Sequence, residues 1–315
     1  MKNIAIIFGG DSDEKDVSVN TGLSVIEAIK NDYNISPINI TNVSFEDISN
    51  LNSNNNKYSE LFNKLFNVDV VFIALHGGYG EDGRIQKYFE KHNINYTGSK
   101  SKASSIAIDK NRTKIIAKKI NIPIIKWIIL NSEKYNEKDS NEIINNLSFP
   151  LIIKPNNGGS TIGLFYVKDL SEFRTKILEA FKYSADIMIE EYINGIEISI
   201  PIINSLAFPI IEINPSGFLY DYKSKYSKNG SEYSIPAKIK DDLARKITNN
   251  AISLYNKIGC RHYARIDFLV KDNKHYLLEV NTLPGLTSTS LLPKSAKYAG
   301  LSYKDLIKKI IKSAY

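Results

Sequence analysis

The chain has 315 residues, of which 43% are hydrophobic, 24% charged and 10% aromatic, and its formal net charge is +7. This composition is typical of a globular protein, and the length predicts two or three domains with sizeable cores. The single cysteine, Cys260, rules out an intramolecular disulfide and a cysteine-built zinc cluster. We expect it to be a small buried side chain.

Neither the amino terminus nor any internal segment predicts a membrane protein. The apolar run in MKNIAIIFGG (1–10) is too short for the core of a signal peptide. No apolar run approaches the roughly 18 residues that a transmembrane helix needs. We therefore expect a cytoplasmic protein without a membrane partner.

The positive charge is spread along the chain rather than clustered. In KIIAKKI (114–120) and KDLIKKIIK (304–312) apolar residues recur at helical spacing and the lysines take the other side, which predicts solvated helix faces. A nucleic-acid site would need clustered basic residues with aromatic residues between them, and the nearest candidate is YDYKSKYSK (220–228). We interpret that segment as part of a lid and expect no nucleic-acid partner.

The first hundred residues alternate between strand and helix patterns. Strands are predicted at IAIIF (4–8), VDVVFIAL (68–75) and NINYTG (93–98), and helices at 17–29 and 84–92. Such alternation predicts an α/β arrangement with a parallel sheet covered on both faces. Ligands of these sheets gather beyond the carboxyl ends of the strands, where the turns GGDSDE (9–14) and LHGGYGEDG (75–83) lie.

The rest of the chain predicts an α+β arrangement. A helix is expected over 109–120, stopped by Pro123. Segment 214–237 has no regular period and is long enough to be a functional lid. The predicted antiparallel strands are PLIIKP (150–155), IGLFYV (162–167), DIMIEEYI (186–193), EISIPII (197–203), FPIIEI (208–213), YARIDFLV (263–270) and HYLLEV (275–280).

Three oxygen-bearing side chains give the strongest signal of a site. Asp267 lies inside one apolar strand, whereas Glu279 and Asn281 lie two apart at the end of the next and therefore share a face. Oxygen ligands without histidine or cysteine suit magnesium. Alternatively, Asp267 and Arg265 form a structural ion pair, and these residues alone leave both interpretations open. The turn and hydroxyl-rich segment 284–290 favours a site.

Two further features indicate ligand binding. Lys154 ends a strand and begins KPNNGGSTIG (154–163), whose glycines would let backbone N–H groups approach a phosphate, although such a hairpin also occurs without a ligand. His76 stands at the end of a buried strand on a glycine-rich turn, which favours a ligand-binding role. The other histidines, His92, His262 and His275, are predicted to be surface or packing residues.

The order and spacing of these motifs resemble those of D-alanine–D-alanine ligases, and the resemblance runs from the first strand to the last helix. It implies the ATP-grasp fold: a Rossmann-like domain over 1–98 and two α+β lobes, over 99–190 and 191–315, that clamp ATP. The motifs that carry it are GGDSDEKDVSVNTG (9–22), LHGGYGEDG (75–83), DKNRTK (109–114), KPNNGGSTIG (154–163), EEYINGIE (190–197), YDYKSKY (220–226), RIDF (265–268) and LLEVNTLPGLTSTSL (277–291).

The resemblance also implies a set of ATP and metal ligands. Two magnesium ions, which Mn²⁺ could replace, would be held by Asp267, Glu279 and Asn281. Lys110, Lys154 and Lys225 would bind phosphates. The adenine and ribose would be framed by Glu190, Glu191, Tyr192, Ile193 and Glu197.

For the amino-acid substrates, the resemblance implies two neighbouring subsites. Glu14 and His76 would bind the first D-alanine, and Ser290 with the N–H of Leu291 would bind the carboxylate of the second. Arg265 and the N–H of Gly285 would stabilise the oxyanion. Tyr226 would bond to Ser160 and through it to Glu14, closing the lid over the site.

The implied reaction is ATP-dependent ligation of two D-alanine molecules through a D-alanyl phosphate, which would supply peptidoglycan precursors. A homodimer is implied as well. Tyr226 matches relatives that make D-alanyl-D-alanine, and a ligase using D-lactate or D-serine is the alternative. A non-catalytic nucleotide-binding module is disfavoured because it should lack the metal ligands or Arg265.

Overall fold

The computed structural model describes residues 1–49, 60, 63–136, 139–215, 217 and 230–315. Its amino-terminal sheet contains β1 (Asn3–Phe8), β2 (Asn34–Asn39) and β3 (Val70–Ile73), all parallel, in the order β2-β1-β3. The parallel sheet predicted for this part of the chain is therefore confirmed. Its connections carry α1 (Lys15–Ile29), α2 (Phe45–Ser49), a 3-10 turn (Lys64–Asn67), α3 (Gly78–Glu81) and α4 (Arg84–Lys91).

The strand predicted at 93–98 does not form. Only Tyr96 makes a parallel bridge, to Val71 of β3. Asn93 and Gly98 at the two ends have positive φ angles of 54° and 95°. Left-handed residues cannot continue an extended strand, so the segment pairs at a single point and then turns away.

A second sheet follows two short helices, α5 (Ser101–Ala107) and α6 (Lys110–Lys119). Its elements are β4 (Trp127–Asn131), α7 (Asp139–Asn146), β5 (Leu151–Pro155), β6 (Phe165–Val167), α8 (Leu170–Phe181) and β7 (Asp186–Glu191). The strands are antiparallel and have the order β4-β7-β5-β6. Phe173 and Ile177 of α8 pack into the core of this sheet, whereas α6 packs against β13 (Lys274–Asn281) of the third sheet.

The third sheet is antiparallel, and its strands are β8 (Ile196–Ile203), β9 (Leu206–Ala207), β10 (Ile211–Pro215), β11 (Ser231–Ser234), β12 (Tyr263–Lys271) and β13 (Lys274–Asn281). Their order is β11-β10-β8-β12-β13, with β9 paired to β8. Helix α9 (Asp241–Ile258) supplies Leu243, Ile247 and Leu254 to the core of this sheet. The prediction of an antiparallel α+β region is confirmed.

The prediction that segment 214–237 has no regular structure is wrong near both of its ends. Residues 231–234 form β11, which pairs with 212–215 of β10. The two ends of the segment are thus joined by ladder hydrogen bonds rather than being irregular. Residues 216 and 218–229 lie outside the described part of the chain.

A β-bulge interrupts the pairing of β12 with β13. Asp267 opposes Glu279, whereas the next residue, Phe268, opposes Leu277, so Leu278 is an extra residue in β13. On a regular strand Leu278 and Glu279 would face opposite sides. The bulge lets both line the same cavity, while Leu277 and Val280 point into the core.

The last two helices, α10 (Leu291–Tyr298) and α11 (Tyr303–Lys312), return to the amino-terminal sheet. Leu306, Ile307, Ile310 and Ile311 of α11 join the core built around β1. Its lysines point outward as predicted, and two of them lie 2.7 and 2.8 Å from Asp32. No helix in the described ranges is long and apolar enough to cross a membrane.

The solvated face predicted for KIIAKKI is wrong at one position. Lys118 and Lys119 of α6 are exposed, but Lys114 is completely buried. Its ammonium lies 2.8 Å from the carboxylate of Glu190. Because a buried ammonium needs a counter-charge, this partner explains why a lysine occupies the inner face of the helix.

Gly22 of α1 allows the helix to pack directly on β1. A Cβ at this position would lie 2.5 Å from Cγ of Phe8, an atom at the root of a buried ring. Replacing glycine by alanine inside a helix normally stabilises it by about 1 kcal/mol. We expect Gly22→Ala instead to lower the free energy of unfolding by about 1–2 kcal/mol, because overpacking outweighs propensity.

Urea unfolding would measure this change. Asn20→Ala, at an exposed position on the same helix, is the matched control and should change the free energy of unfolding by no more than about 0.5 kcal/mol. A Gly22→Ala protein as stable as the unaltered chain would show that α1 does not sit against Phe8 as described.

Candidate active site

Two cavities lie along the cleft edge of the third sheet. The first has a volume of about 310 Å³ and is lined from both antiparallel sheets. Ile152, Leu269 and Leu278 give it apolar walls, and Lys110 and Lys154 contribute ammonium groups to its lining. An apolar slot with cations in its lining can receive an aromatic base and its phosphates.

The backbone that leaves β7 forms another wall of the first cavity. It includes four residues that the resemblance assigns to adenine and ribose binding: Glu191, Tyr192, Ile193 and Glu197. The N–H of Glu191 donates to the Lys126 carbonyl, and the Glu191 carboxylate accepts from the N–H of Ser148. The ring of Tyr192 packs edge-to-face on Tyr166 at 5.1 Å between centroids. These contacts fix the wall in place.

A buried cluster of three charges lies beside this cavity. Glu190 of β7 contacts the ammonium groups of Lys154 and Lys114, and the three side chains are 3%, 10% and 0% exposed respectively. Lys114 was missed by sequence reasoning, since its helical periodicity placed it on the outer face. The only sequence signal was its position in the DKNRTK motif, which the family resemblance covers.

The charges of the cluster shift one another's pKa. Burial alone would raise the pKa of Glu190, but the two ammonium groups outweigh burial and lower it to about 2. Burial also lowers the pKa of Lys114, and Glu190 opposes that shift. The two directions are compatible because Glu190 has two cationic neighbours, whereas burial is the dominant influence on Lys114. The carboxylate is therefore ionised at neutral pH.

The glycine loop after β5 crosses from one cavity to the other. Ser160 and Thr161 both have left-handed φ angles, 52° and 65°, which side chains with a Cβ rarely adopt. Lys110 donates to the carbonyl of Gly158, and the hydroxyl of Ser160 donates to the carboxylate of Glu14. The strained loop is thereby held against the amino-terminal turn, a pattern found at ligand sites.

The acidic side chains lie together, as their spacing predicts. Asp267 and Glu279 are directly opposed across β12 and β13, and Arg265 opposes Asn281. Asp267 forms the ion pair with Arg265, whose Nε lies 3.0 Å from both carboxylate oxygens, and accepts from Ser199 at 2.7 Å. Both interpretations left open by the sequence therefore apply: the ion pair exists, and Asp267 still lines the cavity.

These residues provide a donor set that fits magnesium. Two carboxylates and the Asn281 amide oxygen are all hard oxygen ligands, and magnesium completes its shell with water and phosphate. No group of three histidine, cysteine, aspartate or glutamate side chains in the described ranges could hold a metal by itself. Glu279 also lies 3.7 Å from Lys110 and 3.9 Å from Arg265, so cations already surround the carboxylates.

The second cavity, about 840 Å³, lies between the third sheet and the turns after β1 and β3. Among its lining residues are seven predicted for substrate binding or catalysis: Glu14, His76, Ser160, Arg265, Gly285, Ser290 and Leu291. Glu279, Gly159 and Ser160 line both cavities. A group bound in one cavity would thus meet a group bound in the other beside Glu279.

His76 is held from both sides of its ring. Nε2 lies 2.9 Å from the hydroxyl of Thr21, and Nδ1 lies 3.7 Å from the Glu81 carboxylate. The carbonyl of His76 accepts from Ser12 at 2.6 Å, which ties its turn to the one that carries Glu14. The two glycine-containing turns predicted to lie at the strand ends therefore form one wall.

The opposite wall is the amino-terminal end of α10. Ser290 precedes the helix, and its hydroxyl lies 2.7 Å from that of Thr287. A Cβ at Gly285 would lie only 2.9 Å from the Ser290 hydroxyl, so only glycine fits there without displacing it. Leu291 begins the helix, where backbone N–H groups are available to anions.

Two predicted site residues, Lys225 and Tyr226, lie outside the described residues, and their predicted roles stay predictions. The side chains predicted to serve packing are placed accordingly. Cys260 is buried, and burial raises the pKa of its thiol to about 12. His262 and His275 are buried, and burial lowers the pKa of each to about 4. The His92 ring packs against the Tyr88 ring in a tilted arrangement, with 4.6 Å between the ring centres.

The buried cluster predicts a specific pH dependence of stability. Because the pKa of Glu190 falls on folding, its contribution is complete above about pH 4.5 and is lost as pH falls towards 2. Glu190→Gln leaves two buried lysines without a counter-charge, and we expect a loss of about 3–5 kcal/mol of unfolding free energy at pH 7. The difference from the unaltered protein should shrink below pH 4.5.

Urea unfolding between pH 7 and pH 3.5 would test this dependence. Glu179→Gln, which removes a partly exposed partner of Lys176 one helical turn away, is the control and should have little effect at any pH. A Glu190→Gln difference that is small at pH 7, or that does not change with pH, would contradict the arrangement.

Comparison with known proteins agrees with this geometry over the whole chain. Residues 3–99 match the D-ala D-ala ligase N-terminus and residues 116–312 match the D-ala D-ala ligase C-terminus. A D-alanine–D-alanine ligase from Clostridium perfringens is 37% identical over 312 residues, which cover 99% of this chain and 97% of the relative.

Solved structures of ligases of this family have the same fold as this chain. The D-alanine–D-alanine ligase of Bacillus anthracis, solved in complex with ATP, has a TM-score of 0.83 and 34% identity, covering 100% of this chain and 97% of that one. The VanG D-Ala:D-Ser ligase of Enterococcus faecalis has a TM-score of 0.82 and 30% identity, covering 100% and 99%. The expected ATP-grasp fold is confirmed, and the chain belongs to the D-alanine–D-alanine ligase family.

Proposed function

We propose that this protein joins two D-alanine molecules at the expense of ATP, through a D-alanyl phosphate. One observation carries the proposal: the apolar, lysine-lined cavity and the second, polar cavity share a wall at Glu279, Gly159 and Ser160. A phosphate bound in the first would meet a carboxylate bound in the second there. That encounter is what carboxylate activation by phosphoryl transfer requires.

The first cavity supplies the groups that ATP needs. The apolar walls would sandwich the adenine, and beside them lies Oε2 of Glu190, a buried oxygen whose ion pair with Lys114 at 2.8 Å is not aligned as a hydrogen bond. This oxygen could accept from the adenine amino group. Lys154 and Lys110 would turn from Glu190 and Gly158 to the phosphates, and Lys225 would join them. Glu197 would bind the ribose hydroxyls.

Asp267, Glu279 and Asn281 would hold two magnesium ions, with Mn²⁺ as a possible replacement. Bound there, the metal would neutralise charge on the phosphates. Arg265 donates to Asp267, with contacts to both of its carboxylate oxygens, and metal and nucleotide binding would release its guanidinium. The released Arg265 would be available, with the N–H of Gly285, to stabilise an oxyanion.

The second cavity would order the two amino acids. Glu14 would bind the ammonium of the first D-alanine, with Ser160 and Tyr226 linking it to the closed lid, and His76 would orient the carboxylate. Ser290 and the N–H of Leu291 would receive the carboxylate of the second D-alanine. The amine of the second would attack the acyl phosphate carbonyl, form the peptide bond and displace phosphate. Exclusion of water protects the acyl phosphate from hydrolysis.

The family also contains D-Ala:D-Ser ligases, as the VanG relative shows. A D-serine or D-lactate ligase would keep every nucleotide residue and differ around Ser290 and Tyr226. We favour D-alanine because relatives that align over nearly the whole chain are named D-alanine–D-alanine ligases. A cytoplasmic homodimer serving peptidoglycan synthesis is the setting that this function would have.

The proposal is tested by phosphate release from ATP and magnesium, with the mass of the product read in parallel. D-Alanine alone should release phosphate and yield its dipeptide, whereas L-alanine should not. Release only in the presence of D-serine or D-lactate would retain the activation step and change the second substrate. No release with any of these would reject the ligase function.

Glu279→Gln tests the shared wall. We expect a loss of at least 100-fold in phosphate release at saturating magnesium, because the wall would lose a charged metal ligand. Asp272→Asn, at the exposed turn of the same β12–β13 hairpin, makes the same chemical change away from the cavities and should retain full activity. A Glu279→Gln protein that is folded and equally active would remove this residue from the metal site.

A further inference from the structure

We propose that Lys294 binds the carboxylate of the second amino acid and makes the enzyme selective for acceptors that carry one. This inference rests on the proposed ligase function and adds a residue to its acceptor subsite. Lys294 lies in α10, one turn beyond Ser290, and lines the second cavity.

Helix geometry brings Lys294 to the acceptor side of the cavity. The N–H of Lys294 donates to the carbonyl of Ser290 at 3.1 Å, which places the two residues on one face of the helix. Long side chains of a helix lean towards its amino terminus, so Lys294 extends over the turn that holds Ser290 and Leu291. Those two are the residues proposed to receive the acceptor carboxylate.

The charges of the cavity favour such a cation. Its described lining contains four carboxylates, those of Glu14, Asp16, Glu81 and Glu279, and only two basic side chains of the lysine or arginine type, those of Arg265 and Lys294. Arg265 is bound to Asp267 at 2.8 and 3.0 Å, and the role proposed for its guanidinium once released is to stabilise the oxyanion. The carboxylate of the second amino acid, entering this largely acidic cavity, would therefore gain from a cation other than Arg265.

Among the described residues that line this cavity, Lys294 is the other lysine or arginine. Among the described residues its ammonium forms no ion pair and instead lies 3.7 Å from the centre of the Tyr233 ring. Its side chain is partly buried, and burial lowers the pKa of its ammonium. A desolvated ammonium without an anionic partner gains from a bound carboxylate, and the aromatic contact holds it in position meanwhile.

Tyr233 also places Lys294 next to the predicted lid segment. It belongs to β11, which lies near the carboxyl end of the segment 214–237 predicted to be the lid. The ring therefore fixes the ammonium between the acceptor wall and the end of that segment. Such a position is suited to the entering amino acid rather than to the nucleotide, whose cavity Lys294 does not line.

The test compares two acceptors in Lys294→Met and Lys294→Gln. Dipeptide formation needs an acceptor carboxylate, whereas hydroxylamine traps an acyl phosphate as the hydroxamate without one. We expect the acceptor KM for dipeptide formation to rise about tenfold or more in both variants. The rate of D-alanyl hydroxamate formation and the KM for ATP should change less than twofold.

Lys297→Met is the matched control, because Lys297 is exposed on the same helix and lines neither cavity. It should leave both reactions unchanged. Equal loss of dipeptide and hydroxamate in the Lys294 variants, or no loss of either, would overturn the assignment and leave Lys294 as a packing residue of Tyr233. If the unaltered protein forms neither product, the proposed ligase function fails, and this inference falls with it.

Discussion

The bulge in β13 is the constraint on which the arrangement of the site depends. If residues 277–279 were paired as a regular strand, Leu277 and Glu279 would share a face. With the bulge, Leu277 stays in the core opposite Phe268 while Glu279 opposes Asp267 beside the cavity. The bulge therefore allows Leu277 to fill the core while Glu279 lines the cavity.

The site is held together by contacts between its own charged and polar groups. Asp267 binds Arg265, Glu190 binds Lys154, and Glu14 accepts from Ser160. Each pair places a group proposed to meet ATP or D-alanine against an internal partner. Buried charges that lack such partners are costly, so these contacts keep the cleft formed before ligands arrive. Binding of ATP and D-alanine would then replace these internal partners within a site that is already formed.

Much of this architecture could be predicted from the sequence, because buried strands and paired polar residues have short-range signatures. The convergence of Glu279 and Asn281 followed from their spacing, and the β12–β13 hairpin from its apolar runs. The position of Lys114 could not be predicted, since helical periodicity treats lysine as solvated until a buried carboxylate is known to face it. Nor could the bulge, because HYLLEV reads as one regular strand. The domain boundaries at 98 and 190, and the roles of individual site residues, stay predictions.

The central claim is that the carboxylate of the first D-alanine is activated by phosphoryl transfer. D-Alanine labelled with ¹⁸O in its carboxylate tests it most directly, since attack of a carboxylate oxygen on the γ-phosphate leaves that oxygen on phosphorus when the peptide bond forms. The account predicts one ¹⁸O atom in each phosphate released together with dipeptide. Phosphate that carries no label while dipeptide accumulates would contradict it.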